Sequence, residues 1–212
     1  ALDPGHDCPA SQVANLEIRA DYDDLYAAQV MARNVDVMTV EFENIASETL
    51  EAVAKVCPMR PGAFVLHTVQ HRIREKRFLE SKGFPVTPFR EVNSLEDLQA
   101  AVAELGLPAI LKTASFGYDG KGQQKLAPGA DLPAAFFALK GQQGILEAFA
   151  PFEREVSVVA ARSANGETAA FDVAENDHVN HILDTTILPA RIPWDVAREA
   201  RAMAEGIAQA LG

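Results

Sequence analysis

Ala109-Ile110-Leu111-Lys112-Thr113 is followed closely by Gly117-Tyr118-Asp119-Gly120-Lys121-Gly122-Gln123. The first stretch follows Pro108 and is apolar and short, which predicts a strand with a lysine set inside it. An unpaired ammonium is costly to bury, so Lys112 needs an anionic partner or must snorkel outward from a sheet edge. The run behind it has glycine at 117, 120 and 122, where backbone N–H groups can come close to an anion, and Lys121 adds positive charge. A glycine-rich hairpin turn is the plain alternative. The run fits neither G-x-x-x-x-G-K-[ST] nor G-x-G-x-x-G, so neither a P-loop nor a Rossmann fingerprint is indicated. A strand lysine ahead of a glycine loop is a phosphate clamp of another type, and the pairing favours function.

Before this strand, a capping-box start at Ser94-Leu95-Glu96-Asp97 opens a helix that ends at Gly106. Upstream lies a helix expected from about Thr68 to Lys82, with a basic island of Arg72, Arg74, Lys76, Arg77 and Lys82. Such a run is ordinarily a solvated helix face. Earlier still, a short strand near 15–20, a helix over 21–34, a strand over 35–40 and a helix capped by Ser47 give the strand–helix rhythm of a parallel α/β sheet. Downstream, a helix near 132–139 and a short strand over 144–149 precede two alternating strands around Asn165-Gly166, a strong hairpin signal, and an Ala-rich helix over 195–211 closes the chain. The expected organisation is two α/β lobes, residues 1–66 and 67–212.

Bulk properties remove several function classes. The 212 residues suffice for a buried core, and 48% hydrophobic with 23% charged residues is an ordinary soluble composition. A net charge of −11 argues against a general nucleic-acid or anionic-membrane binder, though not against one small anion held by local cations. No apolar run approaches the ~18 residues of a membrane span. Cys8 and Cys57 have neither metal-ligand spacing nor a disulfide framework, which points to a reducing cytoplasm. Ala1 to His6 lack the features of a signal peptide and read as a mid-protein loop.

Other candidate groups are weaker individually. Glu147 and Glu155 flank Pro151 to Arg154 and, as carboxylates at strand edges, suit ribose hydroxyls or an adenine amine. His178, in Glu175-Asn176-Asp177-His178, reads as a loop histidine. Glu41 and Glu43 follow a strand's C-terminal end, where open α/β sheets bind ligands.

In this order the signals resemble one family along essentially the whole chain: the 5-(carboxyamino)imidazole ribonucleotide synthetases, ATP-grasp ligases of purine biosynthesis. The resembling stretches include Thr39 to Asn44, Gln70-His71-Arg72, Leu111-Lys112-Thr113, Gly117 to Gln123, Ile145-Leu146-Glu147, Arg154 to Val158 and Ala174 to His178. The strand lysine and glycine loop belong to ATP-grasp proteins generally. The Glu-Phe-Glu-Asn, Gly-Tyr-Asp-Gly-Lys-Gly-Gln and Glu-Asn-x-His combination is narrower.

The resemblance implies a partial nucleotide-fold lobe followed by an α+β ATP-grasp domain. It implies that Arg72 and Lys112 hold ATP phosphates and that Gly117, Tyr118, Asp119, Gly120, Lys121, Gly122 and Gln123 close over them. Glu147 with the backbone of Ala148, Phe149 and Ala150 would meet the adenine, Glu155 the ribose and His178 the nucleotide's other side. Tyr118 and Asp119 would face the imidazole substrate, with Glu41 or Glu43 as lesser candidates; Lys112, Tyr118, Asp119 and Lys121 are the implied catalytic set. The implied reaction spends ATP and bicarbonate, through carboxyphosphate, to carboxylate the exocyclic amine of 5-aminoimidazole ribonucleotide; a homodimer and no nucleic-acid partner are implied too. The family's first strand is expected before residue 1 and its magnesium ligands beyond Gly212, so the chain is expected to be a fragment, inactive alone. Another ATP-grasp ligase (a formate-using purine transformylase, a biotin carboxylase or a D-alanine ligase) and a non-catalytic nucleotide-binding module are the competing readings.

Overall fold

Short parallel pairings organise the first 70 residues. In the computed structural model, which describes residues 1–115, 117 and 121–212, β1 (Leu2–Asp3) pairs in parallel with β2 (Ile18–Arg19). Helices α1 (Leu25–Ala32), α2 (Ser47–Ala54) and α3 (Ala63–Val69) contribute Ala28, Ala32, Leu50, Val53 and Leu66 to a core completed by Ile45, Cys57 and Met59. Asp24 caps α1, its carboxylate accepting the Ala27 N–H at 2.9 Å. Ala46, not Ser47, stands at the N-cap of α2 and makes no side-chain cap.

Two further sequence expectations fail, one within this unit and one across its end. The strand expected over 35–40 is a single parallel bridge, Met38 to Met59. Pro58 and Pro61 flank the partner segment and cannot donate to a ladder, so pairing stops after Met38 N–H to Pro58 O and Arg60 N–H to Met38 O, both 2.9 Å. The helix expected over 68–82 is two helices, α3 and α4 (Arg72–Ser81), separated by His71 in extended conformation. The Arg72 N–H leaves the helical path to donate to Ala114 O at 2.9 Å. The chain divides into two compact units, Ala1–Gln70 and His71–Gly212.

The second unit, His71–Gly212, is α+β. An antiparallel sheet of β3 (Phe89–Val92), β4 (Ala109–Thr113), β5 (Gln123–Leu126) and β6 (Gly144–Ala148) has the order β3-β6-β4-β5. Helices α5 (Leu95–Leu105) and α6 (Leu132–Phe137) cover one face, burying Val92, Leu98, Ala101, Leu111, Leu126, Leu139 and Leu146. Side-chain alternation sends Phe89, Ile145, Glu147 and Lys112 to the other face, beside Ile73 of α4. Ser94 and Asp97 form the reciprocal capping box that begins α5, and Gly106, at φ +77°, ends it.

The remainder comprises β7 (Glu155–Ser157), β8 (Ala160–Arg162), β9 (Thr168–Ala170), β10 (Ala174–Val179), β11 (Ile182–Ile187) and α7 (Trp194–Leu211). The hairpin read at Asn165-Gly166 is β8–β9. The segment expected as a loop around His178 is strand β10, central in the antiparallel sheet β11-β10-β7. Its turn is made by Asn180 and His181, both at positive φ (52° and 67°), without the glycine that usually marks such a hairpin.

Candidate functional site

Lys112 has the partner its burial demands. Register sets Lys112 opposite Ile145 and Ile110 opposite Glu147, so lysine and glutamate lie diagonally on one face. Lys112 Nζ donates to Glu147 Oε2 at 2.7 Å, and Lys76 Nζ, from α4, lies 3.4 Å from Oε1. Glu147 is therefore not an edge carboxylate, as its sequence context suggested: β6 is an interior strand, and the side chain is only 10% exposed. Two ammonium groups share one carboxylate, so the cluster keeps one net positive charge.

Arg72 extends this positive edge. Its Nη1 donates to Thr113 O and its Nη2 to Gly117 O, each at 3.1 Å, joining α4 to the end of β4 and the start of the glycine run. Arg72 and Lys76 are four apart on α4, hence on one side of it. Glu75 lies among them; burial pushes its carboxyl up, Glu147 adds to the rise, and Lys76 and Arg72 oppose it. Gly122 closes the run against Thr113, accepting the Thr113 N–H on its carbonyl at 2.8 Å. At φ +72° a Cβ there would stand 2.7 Å from Thr113 Oγ1, so the close approach requires glycine.

A second set of groups surrounds an open cleft of about 590 Å³ lined by Gln123, Arg154, Glu155, Glu175, His178 and Arg191, among others. Glu155 Oε2 lies 3.5 Å from His178 Nδ1. Gln123, first residue of β5 and paired with Lys112, also reaches this cleft, where its Nε2 is 3.4 Å from His181 Nδ1. Glu175, 3% exposed, is held by Arg191 through Nε (3.1 Å), Nη2 (2.7 Å) and the backbone N–H (3.0 Å). Arg154 Nη1 adds a bond at 2.6 Å. These donors, Arg191 first, hold the Glu175 carboxyl at about 2, well below the ordinary range.

Of the sequence candidates, Arg72, Lys112, Gly117 and Glu147 are thus joined directly or through one residue, while Glu155, His178 and Gln123 gather at the cleft. Ala148 is half-buried at the end of β6; Phe149 and Ala150 are exposed, and Lys125 Nζ stands 4.0 Å from the Phe149 ring centre. Lys121 is exposed. Tyr118, Asp119 and Gly120 lie outside the described residues. Glu41 and Glu43 are exposed in the first unit, where the Glu43 carbonyl accepts Gln70 Nε2 at 2.5 Å. Lys76, Glu175, Arg191 and His181 were given no role; Glu175 stands in the Glu-Asn-x-His combination and Lys76 four residues after Arg72, while nothing in the sequence signalled Arg191 or His181. Among the described residues there is no group of three or more His, Cys, Asp and Glu side chains that could hold a metal ion, and no step is routed through one.

A strand lysine, a glycine run bound to it and an acid–histidine cleft on the neighbouring sheet define a class, and comparison agrees. The ATP-grasp domain model matches residues 77–212, and the ribonucleotide synthetase preATP-grasp domain model matches 1–70. The chain belongs to the ATP-grasp family.

Within that family it is similar to the N5-carboxyaminoimidazole ribonucleotide synthase of Brucella melitensis, at 44% identity over 99% of this chain and 59% of that protein. A solved ADP complex of an N5-carboxyaminoimidazole ribonucleotide synthetase, PurK, superposes with a TM-score of 0.95 at 45% identity, over 99% of this chain and 56% of that one. An Aspergillus clavatus N5-carboxyaminoimidazole synthase solved with ADP and 5-aminoimidazole ribonucleotide gives 0.88 at 25% identity, over 99% and 55%. The chain therefore spans between half and two thirds of the length of these relatives.

Proposed function

We propose that this chain carries the ATP site of a ligase that carboxylates 5-aminoimidazole ribonucleotide with bicarbonate in purine biosynthesis. The observation that carries the reading is Lys112, 2.7 Å from a buried Glu147 that Lys76 also neutralises, at the strand end to which Arg72 ties the glycine run. The narrower assignment rests on the 44% identity to a synthase of that name.

The chain's own groups suit the chemistry. Lys112 and Arg72 place positive charge where an anionic phosphate chain must lie, and cations positioned on developing charge are most of what phosphoryl transfer needs. Glu147 and the following backbone meet the adenine, Glu155 the ribose hydroxyls, and His178 stands beside Glu155. Bicarbonate oxygen attacks the γ-phosphorus and ADP leaves; the carboxyphosphate yields carbon dioxide and phosphate, and the amine captures the carbon dioxide and releases a proton. By the same resemblance Tyr118 and Asp119 serve the imidazole substrate and Lys121 the phosphates, and exclusion of water protects the carboxyphosphate. The same reading includes a cytoplasmic, homodimeric protein.

The test is ADP release by the protein as its gene encodes it, with 5-aminoimidazole ribonucleotide, formate, biotin or D-alanine as co-substrate. Stimulation by the ribonucleotide, dependent on bicarbonate, is expected. Stimulation by formate instead would make the protein a transformylase, and stimulation by none would leave a nucleotide-binding module.

A further inference from the structure

Nucleotide binding poses a charge problem at Glu147. Lys112 is its nearest cation, yet a phosphate-binding Lys112 must turn its ammonium toward a new anion. Glu147 would then be a buried carboxylate with its main partner withdrawn, which is strongly unfavourable. Water is a poor substitute on this face: Ile73, Phe89, Ala114 and Ile145 are all buried beside it. The upward push of burial on Glu75 marks the same poorly solvated seam.

Lys76 answers the problem geometrically. Its ammonium sits on the carboxylate oxygen that Lys112 does not use, 3.4 Å from Oε1. It is also anchored, with Nζ 3.5 Å from the Thr87 carbonyl and 5.6 Å from the centre of the Phe89 ring. Its side chain is 15% exposed against 23% for Lys112. The more exposed lysine, beside the glycine run, is the one free to move; the anchored one stays.

We infer that Lys76 is a positioning residue for nucleotide binding, a reserve cation that keeps Glu147 neutralised while Lys112 engages phosphate. This rests on the nucleotide reading above. It assigns Lys76 no contact with the nucleotide, so its effect should depend on phosphate and on the Glu147 charge.

The experiment is calorimetric titration of the protein as its gene encodes it with ADP and with adenosine, using Lys76→Met, Lys76→Arg, Glu147→Gln and the Lys76→Met/Glu147→Gln pair. Lys76→Met should weaken ADP about tenfold or more, as expected for a buried charge that loses its partner, and leave adenosine nearly unchanged. Lys76→Arg should restore ADP binding. With Glu147→Gln there is no charge to neutralise, so adding Lys76→Met should change the ADP-to-adenosine ratio by no more than about twofold. Equal losses for ADP and adenosine, or an undiminished ADP loss in the Glu147→Gln background, would overturn the inference. Thermal unfolding of each variant checks the fold; if Lys76→Met does not fold, Lys76→Gln is measured instead with the same two outcomes. Failure of the unsubstituted protein to bind ADP would refute the nucleotide reading itself.

Discussion

Gly122→Ala perturbs a backbone position where the clamp is tight. Alanine at φ +72° pays left-handed strain of about 1–2 kcal/mol. Its Cβ would also lie 2.7 Å from Thr113 Oγ1 and 3.3 Å from Thr113 Cγ2. Thr113 is buried and cannot swing into solvent. Overpacking of this kind costs about 1–3 kcal/mol, so about 3 kcal/mol in all, or roughly 6–12 °C in a protein of this size. Thr113→Ala removes both offending atoms and leaves the Cβ at an ordinary 3.6 Å. In that background Gly122→Ala should therefore cost only the strain, about 1–2 kcal/mol. Urea and thermal unfolding of the four proteins in this cycle measure the two parts separately. A loss under about 0.5 kcal/mol, or one that Thr113→Ala does not reduce, would refute the close approach of β4 and Gly122. Because Thr113 N–H bonds Gly122 O and Lys112 pairs with Gln123, Gly122→Ala should weaken ADP binding as well.

Two further outcomes follow from the same contacts. Glu175 has a folded-state pKa of about 2 against an ordinary 4.5, so its stabilising effect is complete above pH 4.5 and fades as pH falls toward 2. Thermal midpoints should drop across that window, and Glu175→Gln should flatten the drop; an unchanged slope would show that the arginine clamp is not responsible. Ser94→Ala removes the acceptor for the Asp97 N–H, bonded at 3.0 Å, and should cost about 1 kcal/mol in urea unfolding while ADP affinity holds.

Local chemistry made much of this fold legible. Pro108 and the short apolar stretch Ala109–Thr113 delimited β4, Ser94 with Asp97 announced α5, and Asn165-Gly166 announced β8–β9. Elements defined by partners were not. β5 is Gln-Gln-Lys-Leu, which has no strand character of its own; it is extended because β4 supplies its ladder. β3 was missed for the same reason, being four residues between Pro88 and Asn93. The Asn180-His181 turn lacks glycine, so β11 and the strand nature of His178 went unread. Conversely, Val35 to Val40 has strand composition but meets prolines on its partner segment. In the candidate site, Lys112 demanded an anion from sequence alone, yet which carboxylate answered could not be read. Glu147 is 35 residues away on β6, and Lys76 comes from helix α4. The Glu175–Arg191 clamp was hidden in the same way, since a short-range motif says nothing of a partner contributed by the chain entering α7.

The most direct test of the central claim is ADP affinity of Lys112→Ala by calorimetry. Lys76 still neutralises Glu147 in that variant, so the fold should survive with little change in thermal midpoint. Loss of a charged hydrogen bond to phosphate should weaken ADP roughly ten- to a hundredfold. A folded Lys112→Ala protein that binds ADP as tightly as the unsubstituted one would contradict the account.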